Sequence, residues 1–194
     1  MDRIYKSTTT LATDYDIIIL TETWLTEKFY NAEVKLGNCN IYRNDRHSSI
    51  ASRGTLIAVN NKLRSHICCR QYNSIEVFEH VFVCLPDYKC IVSSVYLPPT
   101  TDTIHYDRYT ELFEDVSIAY PDFSFLAIGD FNLPDVKWNI LNDTNYFQFC
   151  DDNCDSLVKN NLSSLYLCFS NLNINQFNNI VNNKNNVLDL CFSN

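Results

Sequence analysis

Seven short apolar runs read as strands: Asp16–Leu20, Cys39–Arg43, Thr55–Asn60, Ile75–Leu85, Cys90–Leu97, Phe123–Ile128 and Val187–Phe192. Their length suits strands rather than helices. In Ile75–Leu85 an alternating start, Ile-Glu-Val-Phe-Glu-His, passes into the unbroken Val-Phe-Val-Cys-Leu. That is the pattern of a strand that becomes buried on both faces. Two segments step by three and four instead. Tyr106, Tyr109, Leu112, Phe113, Val116, Ala119 and Tyr120 form one stripe, delimited by Pro98-Pro99 and Pro121. A second stripe runs through Tyr146, Phe149, Cys150, Leu157, Val158 and Leu162. Strands interspersed with helices predict an α/β (α+β) layered domain. Nothing resembles an internal repeat or a linker, so residues 1–194 are read as one domain. The Asn-rich stretch Asn171–Asn186 reads as loop. Only three glycines occur in the whole chain, and Asn can take over left-handed positions.

Composition narrows the classes. A chain of 194 residues with 46% hydrophobic and 13% aromatic content fits a globular protein with a sizeable core. No apolar stretch is long enough to span a bilayer, and the first residues lack a secretory segment. The expectation is therefore an intracellular protein, nuclear or cytoplasmic, with no membrane partner. The nine cysteines are odd in number, two are adjacent, and several sit in apolar runs. They read as reduced thiols acting as small hydrophobes. The Cys150-x-x-x-Cys154 spacing suits one face of a helix, and no second Cys or His pair lies near it to complete a zinc site.

The net charge of −8 argues against a dedicated nucleic-acid-binding protein. The charge is uneven, however. Arg43, Arg46, Arg53, Lys62, Arg64 and Arg70 stand against Asp45 between residues 43 and 70, a balance of +5 that leaves −13 for the rest. Such a segment can hold a phosphate backbone, or it can be a solvated loop and strand edge.

The candidate chemistry sits at strand ends. The run Asp16–Leu20 leads into Thr21-Glu22-Thr23-Trp24, and Phe123–Ile128 leads into Gly129-Asp130-Phe131-Asn132. If the chain stays extended there, alternation puts Asp130 and Asn132 on the same side. Tyr96 and Asp189 complete the set. Hydrolysis of a phosphodiester needs a positioned water, a group to take its proton and neutralisation of phosphate charge. Magnesium on one or two carboxylates supplies much of this.

In chain order stand Asp16-Ile-Ile-Ile-Leu-Thr-Glu22-Thr-Trp-Leu25, Tyr42-Arg-Asn-Asp-Arg46, Val95-Tyr96-Leu-Pro-Pro99, Gly129-Asp-Phe-Asn132 with Trp138, and Leu188-Asp189-Leu190. This series resembles the endonuclease/exonuclease/phosphatase superfamily. More narrowly, it resembles the apurinic-endonuclease-like domain of non-LTR (LINE-type) retrotransposons. The resemblance implies a four-layer sandwich of two packed mixed sheets flanked by helices. It also implies DNA nicking that depends on magnesium, with manganese as an alternative, and a reverse transcriptase downstream in the intact polyprotein. It assigns Glu22 to the metal and Tyr96 to the scissile phosphate. Asp130 activates or orients the attacking water, Asn132 positions phosphate and water, and Asp189 orients a catalytic histidine. Arg43, Arg46 and Arg53 of the basic segment are the candidate phosphate and DNA contacts.

Two of the family's parts have no match in residues 1–194: the first strand with its active-site Asn, and the final Ser-Asp-His segment. His47, His66, His80 and His105 lie in the wrong part of the sequence to replace that histidine. The domain is therefore expected to be incomplete and, as this fragment, weak or inactive. Two alternatives stand beside the endonuclease. One is a decayed, non-catalytic domain that binds nucleic acid or a protein partner. The other is a phosphodiesterase of the same superfamily acting on RNA, a phosphoinositide or a sphingolipid.

Overall fold

The computed structural model describes residues 14–26, 28–34, 36–45, 54–68, 78–99, 101–140, 147–150, 154–182 and 186–194. They divide into two units, Met1–Tyr96 and Leu97–Asn194.

In the first unit, strands β1 (Ile17–Thr21), β2 (Cys39–Asn44) and β3 (Thr55–Asn60) form an antiparallel sheet with β3 in the centre. Every residue of β3 is buried. Leu56 and Ala58 pack with Leu36 against Ile18, Leu20, Leu25, Val34 and Ile41. On the opposite face, the Thr55 hydroxyl bonds the Ser94 hydroxyl. Strands β4 (His66–Ile67), β5 (Glu79–Leu85) and β6 (Cys90–Tyr96) pair antiparallel, and β5 and β6 pack against the first sheet. A turn at Pro86–Tyr88, closed by left-handed Lys89 (φ 45°), joins β5 to β6. β5 is buried throughout, as the unbroken apolar run predicts, while residues 75–77 of that run lie outside the described residues. Its burial has a polar consequence. His80 is fully buried between the rings of Phe78 and Phe82, 5.3 and 5.9 Å away, and burial lowers its pKa to about 4.

The second unit carries helices α1 (Thr103–Ala119) and α2 (Ser156–Asn171). Its strands are β7 (Ser124–Asp130), β8 (Lys137–Ile140), β9 (Phe147–Cys150), β10 (Asn175–Gln176) and β11 (Asp189–Ser193). Within this unit they run β7-β11-β10-β9-β8, all pairs antiparallel. The predicted α1 stripe is buried at Tyr106, Tyr109, Leu112, Phe113 and Val116, with Thr110 added. Ala119 is exposed. Phe113 meets Phe169 of α2 at 5.0 Å, and Phe192 of β11 stacks edge-on with Phe169 and Phe131. Such aromatic pairs add roughly 0.5–1.5 kcal/mol each beyond their burial.

The second helical stripe is corrected by the structure. Phe149 and Cys150 belong to strand β9, and the helix starts only at Ser156, where the Asp155 carboxylate caps it by accepting from the Val158 amide at 2.8 Å. Phe149 packs its half-buried ring across the hairpin and against the helix, 6.4 Å from Trp138 and 5.0 Å from Tyr166, so a spacing that looks helical is satisfied by a strand. Tyr146 lies outside the described residues. Cys150 and Cys154 accordingly do not share a helix face.

The Asn-rich stretch is more ordered than its composition suggests. Asn173 (φ 55°) ends α2, and the Ile174 amide reaches back to the Phe169 carbonyl, so Asn does take the place of a C-terminal glycine. Gln176, 2% exposed, then exchanges hydrogen bonds with Asn178, whose side chain donates to the Asp189 carbonyl at 2.9 Å.

Candidate functional site

The first unit presents Glu22 one residue beyond β1. The backbone there is left-handed, with φ 52° at Glu22 and 56° at Trp24. Neither side chain favours that region, and each such residue costs on the order of 1 kcal/mol. The Thr23 amide donates to the Gly54 carbonyl at 3.3 Å. Gly54 itself has φ 98°, and a Cβ at that position would lie 2.7 Å from Thr23 Oγ1, so glycine is what the close approach allows. The Glu22 side chain is exposed, and its Oε1 accepts from the Tyr96 hydroxyl at 3.1 Å. Tyr96 ends β6 and is 3% exposed. A solvent-facing carboxylate is thus aimed by a buried phenol.

Glu79 is equally buried and stands directly opposite Tyr96 in the β5–β6 register, where paired side chains share a face. Sequence reading did not single it out, although an acid inside an apolar strand was the available signal.

Arg43 is turned inward. It pairs with Asp45 at 3.3 Å, both side chains largely buried, and donates to the Phe29 carbonyl. Arg46 and Arg53 lie outside the described residues.

The second unit presents Asp130 at the last position of β7. The Asp130 carbonyl accepts from the Leu97 amide at 2.9 Å, and the Phe131 amide donates to the Leu188 carbonyl at 3.0 Å. The Asn132 amide donates to Asp130 Oδ1 at 3.1 Å, and its side-chain Nδ2 donates to the Leu97 carbonyl at 2.8 Å. Asn132 has φ 46°. The chain is therefore not extended through Asn132, as alternation had suggested. A turn in which Asp130 caps the Asn132 amide relates the two side chains instead. Phe131 is fully buried between the rings of Tyr109 and Phe192. Asp189 opens β11 and is the direct cross-strand partner of Asp130.

Each unit therefore groups part of the predicted set: Glu22 with Tyr96 in the first, and Asp130 with Asn132 and Asp189 in the second. Among the described residues, no group of three or more His, Cys, Asp or Glu is placed to hold a metal ion. Magnesium does not require such a cage, because it binds through one or two carboxylates and keeps several waters. The exposed, oriented Glu22 carboxylate fits that mode.

No protein-family model and no curated protein sequence matches the chain. Solved structures do. The endonuclease domain of TRAS1, a telomere-specific non-LTR retrotransposon, superimposes with a TM-score of 0.57 at 12% identity, over 98% of this chain and 77% of that one. The human Nocturnin catalytic domain superimposes at 0.55 and 11% identity, over 98% and 72%. The chain has the endonuclease/exonuclease/phosphatase fold. In this fold the α/β sandwich expected from the sequence is what is observed. Among the described residues, no helix is long and apolar enough to cross a membrane.

Proposed function

We propose that the chain is a magnesium-dependent phosphodiester hydrolase acting on DNA. On this reading it is the endonuclease domain of a non-LTR retrotransposon protein, with a reverse transcriptase elsewhere in the same polyprotein. The observation that carries the reading is the Glu22 turn. A carboxylate on left-handed backbone, open to solvent and aimed by the Tyr96 hydroxyl, is a costly arrangement that a turn alone does not need. A single endonuclease domain matches 98% of the chain, which supports treating both units as one domain.

Glu22 would hold the divalent ion, magnesium or alternatively manganese, which supplies charge neutralisation at the phosphate. Asp130 accepts the proton of the attacking water or orients that water. One Asn132 side-chain N–H is committed to the Leu97 carbonyl, which fixes the amide and leaves its second N–H for a phosphate oxygen. Tyr96 has one hydroxyl proton and donates it to Glu22. Contact with a phosphate oxygen therefore requires that hydroxyl to turn away from Glu22. Asp189 is assigned to orient a histidine, and no Ser-Asp-His sequence occurs in residues 1–194 to supply one. Slow turnover by this stretch of chain is accordingly part of the proposal. Arg43, Arg46 and Arg53 remain the proposed phosphate contacts. The internal pairing of Arg43 makes it a support of that segment as well.

The test is nicking of supercoiled plasmid with magnesium, set beside manganese binding followed by electron paramagnetic resonance. Nicking abolished by Asp130→Ala, with manganese binding weakened by Glu22→Gln, supports the reading. Nicking that survives Asp130→Ala sinks it. Salt-sensitive DNA binding without metal-dependent turnover would favour the decayed, non-catalytic domain. RNA, phosphoinositide and sphingolipid substrates, the alternatives left by the sequence, are assayed beside DNA.

A further inference from the structure

We propose that Tyr106 is a positioning residue that sets the direction of the Asp130 carboxylate through a single peptide plane. Tyr106 lies in the first turn of α1, is 1% exposed, and donates its hydroxyl proton to the Phe131 carbonyl. That carbonyl belongs to the peptide linking Phe131 to Asn132. The N–H of the same peptide donates to Asp130 Oδ1 at 3.1 Å. One plane is thus held at its oxygen end by Tyr106 and at its nitrogen end by Asp130. Its orientation also determines the left-handed φ of 46° at Asn132 and, through it, where the Asn132 side chain projects.

The hydroxyl is itself placed by neighbours. It meets the side chain of Asn161 on α2, which is 4% exposed. Asn161 Nδ2 donates to the Thr101 carbonyl at 3.1 Å, and its Oδ1 accepts from Thr103 Oγ1 at 2.7 Å. The network locks the start of α1 to α2, so the hydroxyl has little freedom to point elsewhere. Burial, then the nearby Asp130 charge, raise the Tyr106 pKa, and the hydroxyl stays a donor. Without it the buried Phe131 carbonyl loses its partner. The peptide can then rotate, releasing both the Asn132 amide from Asp130 and the left-handed turn.

The inference rests on the catalytic reading only for its kinetic arm. Tyr106→Phe in the full chain removes just the hydroxyl. Hydrogen exchange of the Asn132 amide should accelerate at least about ten-fold, with amides of mid-β7 and late α1 unchanged. In plasmid nicking, kcat should fall about ten- to a hundred-fold with KM within about two-fold, since misplacement of a reacting group acts on the chemical step. Val116→Ala, in the core of the same helix, is the control for general loosening. Unchanged Asn132 exchange in Tyr106→Phe, or acceleration spread evenly over the unit as in Val116→Ala, overturns the proposal. If the parent chain cleaves no phosphodiester, the functional reading fails and the exchange arm still decides this one. Should Tyr106→Phe not fold, Asn161→Leu, which leaves the hydroxyl but removes the group that orients it, is read by the same criteria.

Discussion

The turn at Glu22 and the turn at Asp130–Asn132 both follow a strand and both contain left-handed residues, yet they are supported in opposite ways. The first is exposed and places Glu and Trp where neither is comfortable. It leans on the Thr23–Gly54 backbone bond and on one tyrosine hydroxyl. The second puts Asn, a residue that tolerates the conformation, at its left-handed position. It is tied by bonds from Leu97, Tyr106 and the Asn132 amide and to Leu188 and the Leu97 carbonyl, above a buried Phe131. The contrast suits the proposed division of labour. A carboxylate that must accept a hydrated ion can be compliant, whereas groups that orient a water and a phosphate must not move.

Extremes of pH separate the two units that carry these turns and should give the largest effect. His80 is held at about 4 against an ordinary 6.5. Between those values the unfolded chain takes up a proton that the folded chain refuses. Stability is therefore full above about pH 6.5 and falls as pH drops towards 4, by roughly 3 kcal/mol from this group. Tyr106 acts with the opposite sense. Its pKa is raised, so above pH 10 the unfolded chain loses a proton that the folded chain keeps, and stability falls as pH rises. Urea titrations should show His80→Leu flattening the acid limb and Tyr106→Phe flattening the alkaline limb. A variant that flattened the other limb would break the comparison.

Gly54→Ala attacks the first turn alone. A side chain at φ 98° would also crowd Thr23 Oγ1 at 2.7 Å, and we expect a loss of about 2 kcal/mol. Amide exchange at residues 22–24 should accelerate while that at Phe131 and Asn132 is unaltered.

The ordering of the two turns was only partly legible in the chain. Burial of β5 on both faces and the stripe of α1 followed directly from hydrophobic spacing, because those patterns record packing. Glu22, Asp130 and Asn132 stood out as acids and amides closing apolar runs. The way Asp130 and Asn132 are related did not, since an extended strand and a capped turn can carry the same four letters. Phe149 was misplaced because its partners, Trp138 and Tyr166, are remote in sequence, and an i, i+3 spacing cannot reveal a hairpin. The roles of Gly54, Glu79 and Tyr106 depend on approaches between distant segments, which no local spacing encodes.

A smaller effect tests how far one hydroxyl governs the first turn. Tyr96→Phe removes the donor to Glu22 Oε1 and should destabilise by about 1 kcal/mol or less, because the carboxylate regains water. If that bond orients the carboxylate for an ion, manganese affinity should weaken by up to about five-fold, the equivalent of about 1 kcal/mol. Unchanged affinity would mean that the left-handed backbone, not the phenol, places Glu22.

The smallest effect is one of sign. Trp24 and Asn132 have φ of 56° and 46°, and glycine relieves both. Trp24 is 59% exposed, so Trp24→Gly gives up little packing and sheds strain, against the added entropy of the unfolded chain. A net gain of about 0.5 kcal/mol is expected. Asn132→Gly sheds less strain and loses the Nδ2 bond to the Leu97 carbonyl, leaving that acceptor without its donor, so a net loss of about 1 kcal/mol is expected. Paired thermal denaturation of the two variants reads the signs directly. If both were stabilising, the side chain of Asn132 would contribute nothing to its turn, and the distinction between a strained turn and a tied one would collapse.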